Sequence, residues 1–308
     1  MNSIRRFAIA GAVLILPVAA AAQGSGGASG LDTAKIEQVL GRPGQKIADV
    51  YRVGFPRTDL HVSVHGLAIK PGLALGSWAA FTGSDEHAMV MGDLVLLEDE
   101  VNPVMEKLRG AGFEISAVHN HLLDETPRVM YMHYMGHGAA SELAASLRAA
   151  LGVSKTPLEK PAAAAEEPAT PNWVGTVEDH VGGKGTFKSG VLSFGIARTE
   201  EITLAPSKGP LGIMGGVKIP SAAGVGESIN FEAADAGNVA TTGDFVLTAE
   251  EVNPVISALE EHHILVTALH SHMLTEQPRL FFMHFWAVGS PQSVGEGIKA
   301  ALAKIQTK

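Results

Sequence analysis

Apolar positions along this chain fall into short alternating runs broken by Gly and Pro, separated at wide intervals by runs of helical period. Ile36, Val39 and Leu40 repeat at helical spacing, with Asp32 placed to cap and Gly41 to stop, so a helix is predicted over Asp32–Leu40. Its counterpart is Val174–Val181, closed by Gly182. Val50–Val53, Leu60–Ile69, Ser77–Phe81 and Gly92–Leu97 are rich in β-branched and aromatic residues and read as strands. Asn102-Pro103 and Asn253-Pro254 each predict a helix start, because Asn caps and Pro at the first helical position loses no needed N–H. Val104, Met105 and Leu108 supply the apolar face of the first. Phe113–Val118 returns as a strand leading into His119, a turn follows around Asp124–Pro127, and Val129–Met135 is a further strand. Leu143, Leu147 and Leu151, four apart, mark Ala139–Leu151 as a helix.

The pattern is written twice. GDLVLL, EVNPV, VHNHLL and ETPRVMYMH between residues 92 and 133 return as GDFVL, EVNPV, LHSHML and EQPRLFFMH between 243 and 284. His119 to His270, His121 to His272, Arg128 to Arg279 and His133 to His284 all differ by 151 positions. Earlier in the repeat the offset is 141, as from Arg57 to Arg198, so the second copy carries 151 − 141 = 10 extra residues. The Gly-rich stretch Pro206–Gly226 is expected to hold them as a longer loop, with Gly209–Gly216 as turns. Ser154–Pro171 is rich in Pro, Ala and Glu without an apolar period and reads as a linker. The expected organisation is therefore repeat domain 1 over residues 31–153, the linker over 154–171, and repeat domain 2 over 172–308. Each is expected to be an α+β unit, a mainly antiparallel sheet with helices packed on one face.

Composition narrows the class. The chain is 46% hydrophobic and 18% charged, a globular balance. A net charge of −9 without a basic block beyond the first residues disfavours nucleic acid as a partner. The absence of Cys excludes disulfides, thiolate metal sites and Cys nucleophiles. Residues 1–22 have a basic start at Arg5 and Arg6, a short apolar run and Ala20-Ala21-Ala22 before Gln23, the pattern of a cleaved signal peptide. Residues 23–30, rich in Gly and Ser, form a flexible lead-in. The expectation is a periplasmic or secreted protein with no membrane anchor after cleavage.

The chemistry concentrates in histidine. Side chains two apart on a strand face the same way. His119 with His121, and His270 with His272, then each present two imidazoles, and His133 and His284 are the natural third ligands. Two His, a third ligand and an open position make a catalytic zinc site, and imidazole suits copper and iron as well. A divalent transition metal is the implied cofactor: zinc, alternatively copper or iron. Strand register sets a limit. A tight turn after His121 would leave His133 several residues below it at ~3.3 Å per residue, in which case the third ligand comes from Asp93, Glu100, His87 or the other copy. In MYMHYMGH the first copy also alternates Tyr131, His133, Met135 and His137 on one face, a Cu(I)-like set or simply a core strand with Met as filler.

Glu100 and Glu251 are candidate catalytic bases for a metal-bound water. Arg128 and Arg279, directly after Pro, are candidate ligand-binding residues for a carboxylate or phosphate, or partners of Glu125 and Glu276 or of Glu100 and Glu251. Asp93 and Asp244 read as turn residues, supports for His or ligands. Signature motifs of serine hydrolases, zincins and nucleotide-binding loops are missing.

The paired GD(L/F)VL…EVNPV…H-x-H-(L/M)-L…E-x-P-R…MH blocks resemble the LppY/LpqO family of bacterial exported proteins and lipoproteins over nearly the whole mature chain. The resemblance implies an envelope protein with two family repeats and brings no particular reaction. Some members are lipoproteins, and this chain has no Cys to lipidate. Three readings follow: an exported metal-binding protein, extended to a metal-dependent hydrolase; a non-enzymatic module binding a small molecule or envelope component; and a scaffold whose His residues are all satisfied in the core.

Overall fold

The computed structural model describes residues 30–160, 169–204 and 217–307, and the backbone of 207–209 and 212–214. The expected signal segment, nearly all of the lead-in and the middle of the linker lie outside the described residues.

Each half builds one six-stranded antiparallel sheet, and the two sheets match strand for strand. In the first, the spatial order is Gln45–Ile47, Val50–Pro56, Gly76–Gly83, Ala88–Leu97, Val129–Gly138 and Glu114–His119. In the second it is Thr186–Lys188, Val191–Ala197, Gly226–Ala233, Val239–Leu247, Phe281–Gly289 and Leu265–His270. Thr33–Leu40, Glu98–Gly110 and Ala140–Leu151 cover one face of the first sheet, and Asn172–Val181, Ala249–Glu261 and Pro291–Leu302 cover the second. The fold is thus the expected pair of tandem α+β domains.

The alternation within one strand shows how the halves meet. In Ala88–Leu97, Ala88, Val90, Leu94 and Leu96 pack with Val104, Leu108 and Leu147 of the helices. Met89, Met91 and Val95 point the other way, into clusters shared with Val246, Phe282, Ala240 and Trp286 of repeat 2. Both faces of the strand are buried, so its sequence is a near-continuous apolar run. The two sheets therefore stay separate and stack through their inner faces, with helices outside. Ser116 Oγ donates to the His272 carbonyl, while Thr267 Oγ1 donates to the His121 carbonyl at 2.5 Å. Ser116 and Thr267 are 151 positions apart, so each repeat returns the other's contact, and an approximate two-fold axis relates them.

Four expectations change in detail. Leu60–Ile69 is not one strand: His65 (φ 49°) and Gly66 (φ 86°) turn the chain between Ser63–Val64 and Leu67–Ala68. The EVNPV helices begin at Glu98 and Ala249, ahead of Asn102 and Asn253. Glu100 accepts the Leu97 N–H at 2.9 Å and Glu251 the Thr248 N–H at 2.7 Å, supplying the caps one turn earlier and leaving Pro103 and Pro254 inside. The extra residues of repeat 2 include a hairpin, Ser207–Gly209 with Gly212–Met214, set between Ile202–Leu204 and Val217–Ile219. The start of the linker packs on repeat 1: Thr156 is buried, Leu158 joins the first core, and the Pro157 carbonyl accepts Arg42 Nη1 at 3.0 Å.

Candidate metal centre

Register places one acidic residue and one imidazole side by side in each sheet. Across the first, Trp78, Asp93, His133 and Ala117 lie in one row on the inner face. Across the second, Ser228, Asp244, His284 and Ala268 form the matching row. His119 closes its strand opposite Tyr131, and His270 closes its strand opposite Phe282. His133 pairs with Ala117 rather than His119, so the register limit read from the sequence is real. In repeat 1 the other repeat makes up the difference, whereas in repeat 2 His284 still reaches His270 and His272.

All six imidazoles converge between the sheets. His119 stacks on His270 with centroids 3.6 Å apart, next to the approximate axis. His121 lies between Tyr131 at 3.4 Å and His284 of the other repeat at 3.6 Å. His272 lies between Phe282 at 3.4 Å and His133 of the other repeat at 3.7 Å. His119 and His121 bring their Nε2 atoms to 3.1 Å. Three triplets bring one nitrogen from each ring within 4.8 Å of one another: His119, His121 and His284; His119, His133 and His270; His270, His272 and His284. Each triplet draws on both repeats or on a whole His set of one, and the residues form one joint cluster rather than two.

The hydrogen bonds orient the rings toward one another. His284 Nδ1 donates to the Gly243 carbonyl at 2.8 Å, leaving the Nε2 lone pair for the cluster. His133 makes the equivalent bond to Gly92. Glycine is needed at both carbonyls: a Cβ on Gly92 would overlap the Trp78 carbonyl and the Tyr134 hydroxyl, and one on Gly243 the Ser228 carbonyl. This is the physical basis of the repeated Gly-Asp. Asp93 Oδ2 reaches His121 Nε2 at 3.5 Å and Oδ1 reaches His133 at 4.0 Å. Asp244 stands 3.3 Å from His272 and 3.9 Å from His284.

Buried nitrogen is left without a partner throughout. His133 Nε2, His284 Nε2 and His272 Nδ1 have none, His272 Nε2 has only the Asp244 carboxyl at 3.3 Å, and Oδ1 of Asp93 and Asp244 make no hydrogen bond. Buried polar atoms are normally paired, so such a concentration calls for an absent partner. Burial, reinforced by neighbouring imidazoles, pushes the His119, His121, His133, His270 and His272 pKa values down. Burial brings His284 to about 4, against the opposing pull of the Gly243 carbonyl. All six are neutral near pH 7, the state in which imidazole ligates a metal. Burial raises Asp93 to about 8, although Arg52 and the Leu94 and Met132 N–H groups pull it down, and it raises Asp244 as well. Neutral imidazoles, orphaned nitrogens and two carboxyls fit a divalent transition metal.

Other candidates have different employment. Glu100 bonds Arg57 Nη1 at 2.7 Å and takes the Leu97 and Lys155 N–H groups; Glu251 holds Arg198 and the Thr248 and Gln306 N–H groups. Both carboxylates are committed to caps and buried ion pairs, and neither lines the cavity that reaches the histidines. Arg128 is exposed with Glu98 4.0 Å away. Arg279 bonds Glu276, Ser271 and the Met273 and Leu274 carbonyls. Neither Arg lines the cavity that reaches the histidines. His137 sits opposite Met89, while Met89, Met91 and Met135 fill the apolar cluster between the sheets.

That cavity, about 790 Å³, runs between the inner faces and exposes Asp93, His121, His133, Asp244, His272 and His284. Its walls carry residues that the repeat logic passes over because they differ between copies. Arg52 and Trp78 on one wall have Ser193 and Ser228 as counterparts on the other. Glu227 stands where repeat 1 has Ser77: each accepts a backbone N–H from the next strand, and Glu227 turns its Oε1 toward Arg198 Nη1, 3.9 Å away, while burial raises its pKa to about 8.

A family profile described as Domain of Unknown Function (DUF1259) matches residues 34–153 and again 175–304. The chain belongs to this family, in two copies. The joint cluster is thus made by two DUF1259 units, each contributing the same three histidines. No curated protein matches the chain. Among solved structures, a trimeric bacterial microcompartment shell protein, PduB, overlaps at 12% identity, over 85% of this chain and 88% of that one. Its TM-score of 0.19 carries no argument about fold or function.

Proposed function

We propose that the two DUF1259 repeats form a single metal centre shared between them, in an exported envelope protein of the kind the LppY/LpqO resemblance implies. The observation that carries the reading is the convergence of six neutral imidazoles, several with no hydrogen-bond partner, four of which line the floor of a cavity. His119, His121, His133, His270, His272 and His284 are the ligand set, with Asp93 and Asp244 as orienting carboxylates or additional ligands. Zinc fits the donor set best, with copper or iron as alternatives. Bound there, the metal would supply a Lewis acid and an activated water, so the centre suits a metal-dependent hydrolase acting on a small molecule in the cavity. Asp93 and Asp244, rather than Glu100 or Glu251, are the carboxyls that would hold or move its protons.

The test is metal analysis of protein purified without an affinity tag, alongside His121→Ala plus His272→Ala. About stoichiometric zinc, copper or iron, lost in the double variant, supports the centre. Absence of all three after incubation with each metal removes it. The cavity also favours a second reading, a non-enzymatic binding module. Ligand-induced stabilisation that ignores both chelators and the histidine substitutions would select that reading.

A further inference from the structure

The strongest asymmetry in the molecule lies in the cavity wall. Everything at its floor is duplicated, yet one wall carries a cation and an indole while the other carries small polar groups. Arg52 and Trp78 come from neighbouring strands of repeat 1, and the guanidinium carbon sits 4.0 Å from the indole centroid. Arg52 Nη1 donates to the Ala222 carbonyl at 3.0 Å, which ties it to repeat 2. Among the described residues it makes no ion pair, in contrast to Arg57, which is locked to two carboxylates, and Arg198, which faces three. Burial lowers its pKa to about 10, with the Asp93 charge opposing, so it stays cationic at neutral pH. Its nearest opposing charge, Asp93, lies beyond ion-pair reach, so the desolvation of this half-buried cation is only partly compensated. The stacked indole offsets part of that cost, and the guanidinium edge remains open to bidentate recognition of an oxyanion. Ser193, Ser228 and Asn230 face the same space with hydroxyl and amide groups.

We infer that the cavity takes a small hydroxylated oxyanion, such as a sugar acid or sugar phosphate, with its charged end on Arg52 and its hydroxyls toward Ser193, Ser228 and Asn230. This names a ligand class for the site proposed above, while its determinant is Arg52 rather than the histidines. The two halves of the cavity then have separate duties: the duplicated floor holds the metal, and the wall unique to repeat 1 selects charge. An exact two-fold site would present Arg52 twice or not at all, and Ser193 on the second wall leaves the anion one orientation.

The experiment is isothermal titration of the mature chain, as purified and after chelator dialysis, with gluconate, inorganic phosphate and the uncharged polyol glucitol. Gluconate and phosphate are expected to bind in both preparations and glucitol at least tenfold more weakly. Arg52→Gln should weaken gluconate by about tenfold or more, the scale of one lost charge-assisted bond, with metal content unchanged, and Arg52→Lys should recover part of the loss. Because Arg52 also holds the Ala222 turn, Ser193→Glu serves as a second variant. A new negative charge across the cavity should reduce gluconate affinity by a similar factor without touching that hydrogen bond. Equal binding of glucitol and gluconate, or oxyanion affinity unaltered in both variants, overturns the inference. Gluconate binding that requires metal and ignores Arg52 does so too, while leaving the metal centre standing. Metal absent from the protein with Arg52-dependent binding retained would sink the metal reading and keep this one.

Discussion

His119 and His270 occupy the same position in the two repeats and stack face to face at 3.6 Å, so each repeat completes the other's site. A metal held by both repeats at once would have no half-occupied state. His119→Ala alone, or His270→Ala alone, is expected to reduce bound metal to near zero. Two independent sites would each lose only their own share, leaving about half. Elemental analysis of the two single variants decides between these outcomes, and a half-loss in each would refute the shared centre.

Metal removal should register as lost stability. Ligands that bind only the folded state stabilise it by RT ln(1 + [L]/Kd), about 2.7 kcal/mol at a hundredfold excess over Kd. A metal held by both His sets would bridge two sheets that otherwise meet through apolar clusters and a few hydrogen bonds. Dialysis against a chelator is expected to lower the melting temperature by several °C, and one equivalent of zinc to restore it. The measurement is calorimetric scanning of the untagged chain before and after dialysis.

Asp93 and Asp244 are expected to act through the histidines they face. Asp93→Asn keeps the shape and replaces the carboxyl 3.5 Å from His121 Nε2 with an amide that cannot ionise. Loss of an orienting carboxylate costs roughly 10–100-fold in metal affinity. Competition against a chromophoric chelator measures it. Unchanged affinity in both Asp93→Asn and Asp244→Asn would show that the carboxyls serve the fold alone.

Much of this was legible in the chain because it was duplicated. A constant offset of 151 picked out all six histidines and the two aspartates, and alternation in Val129–Met135 showed His133 sharing a face with Tyr131. What the sequence could not show was that the inner faces of two separate sheets stack on each other, since that depends on burial of both faces of Ala88–Leu97 and its partner Val239–Leu247. Spacing alone made Glu100 and Glu251 look like free bases. Their partners, Arg57 and Arg198, lie 43 and 53 positions upstream, and only the fold brings each pair together. Arg52, Trp78 and Glu227 went unseen for the opposite reason: they are where the copies differ, so a search for shared residues passes over them.

The Arg57–Glu100 pair gives the acid limb of stability its sign. Burial would raise the Glu100 pKa, but Arg57 and the Leu97 and Lys155 N–H groups outweigh it and hold the carboxyl below its usual range. A depressed folded pKa contributes stability above the unfolded value, ~4.3, and that stability is lost as pH falls through the folded value. Glu100→Gln leaves Arg57 buried with Asp59 alone and is expected to cost about 3–5 kcal/mol at pH 7. The gap from the wild type should narrow steadily below pH 4. Urea unfolding of both proteins between pH 7 and pH 3 tests this, and a gap that widens in acid would contradict it.

Gly92 makes the repeated Gly-Asp a matter of space as well as sequence. Its missing side chain lets the Trp78 carbonyl and the Tyr134 hydroxyl approach the strand, and its own carbonyl orients His133. Adding one methyl there must push the Gly76–Gly83 strand away, and the Asp93–His133 row moves with it. Gly92→Ala is expected to destabilise by about 2–4 kcal/mol, in the range of overpacked cores, and to weaken metal binding in the same protein. Gly54→Ala is the control, because a Cβ at Gly54 meets nothing within 4 Å although it lies on the same sheet. It should change stability by less than about 0.5 kcal/mol. Equal losses for the two variants in urea unfolding would mean that strand propensity, rather than the close approach at Gly92, sets the requirement for glycine.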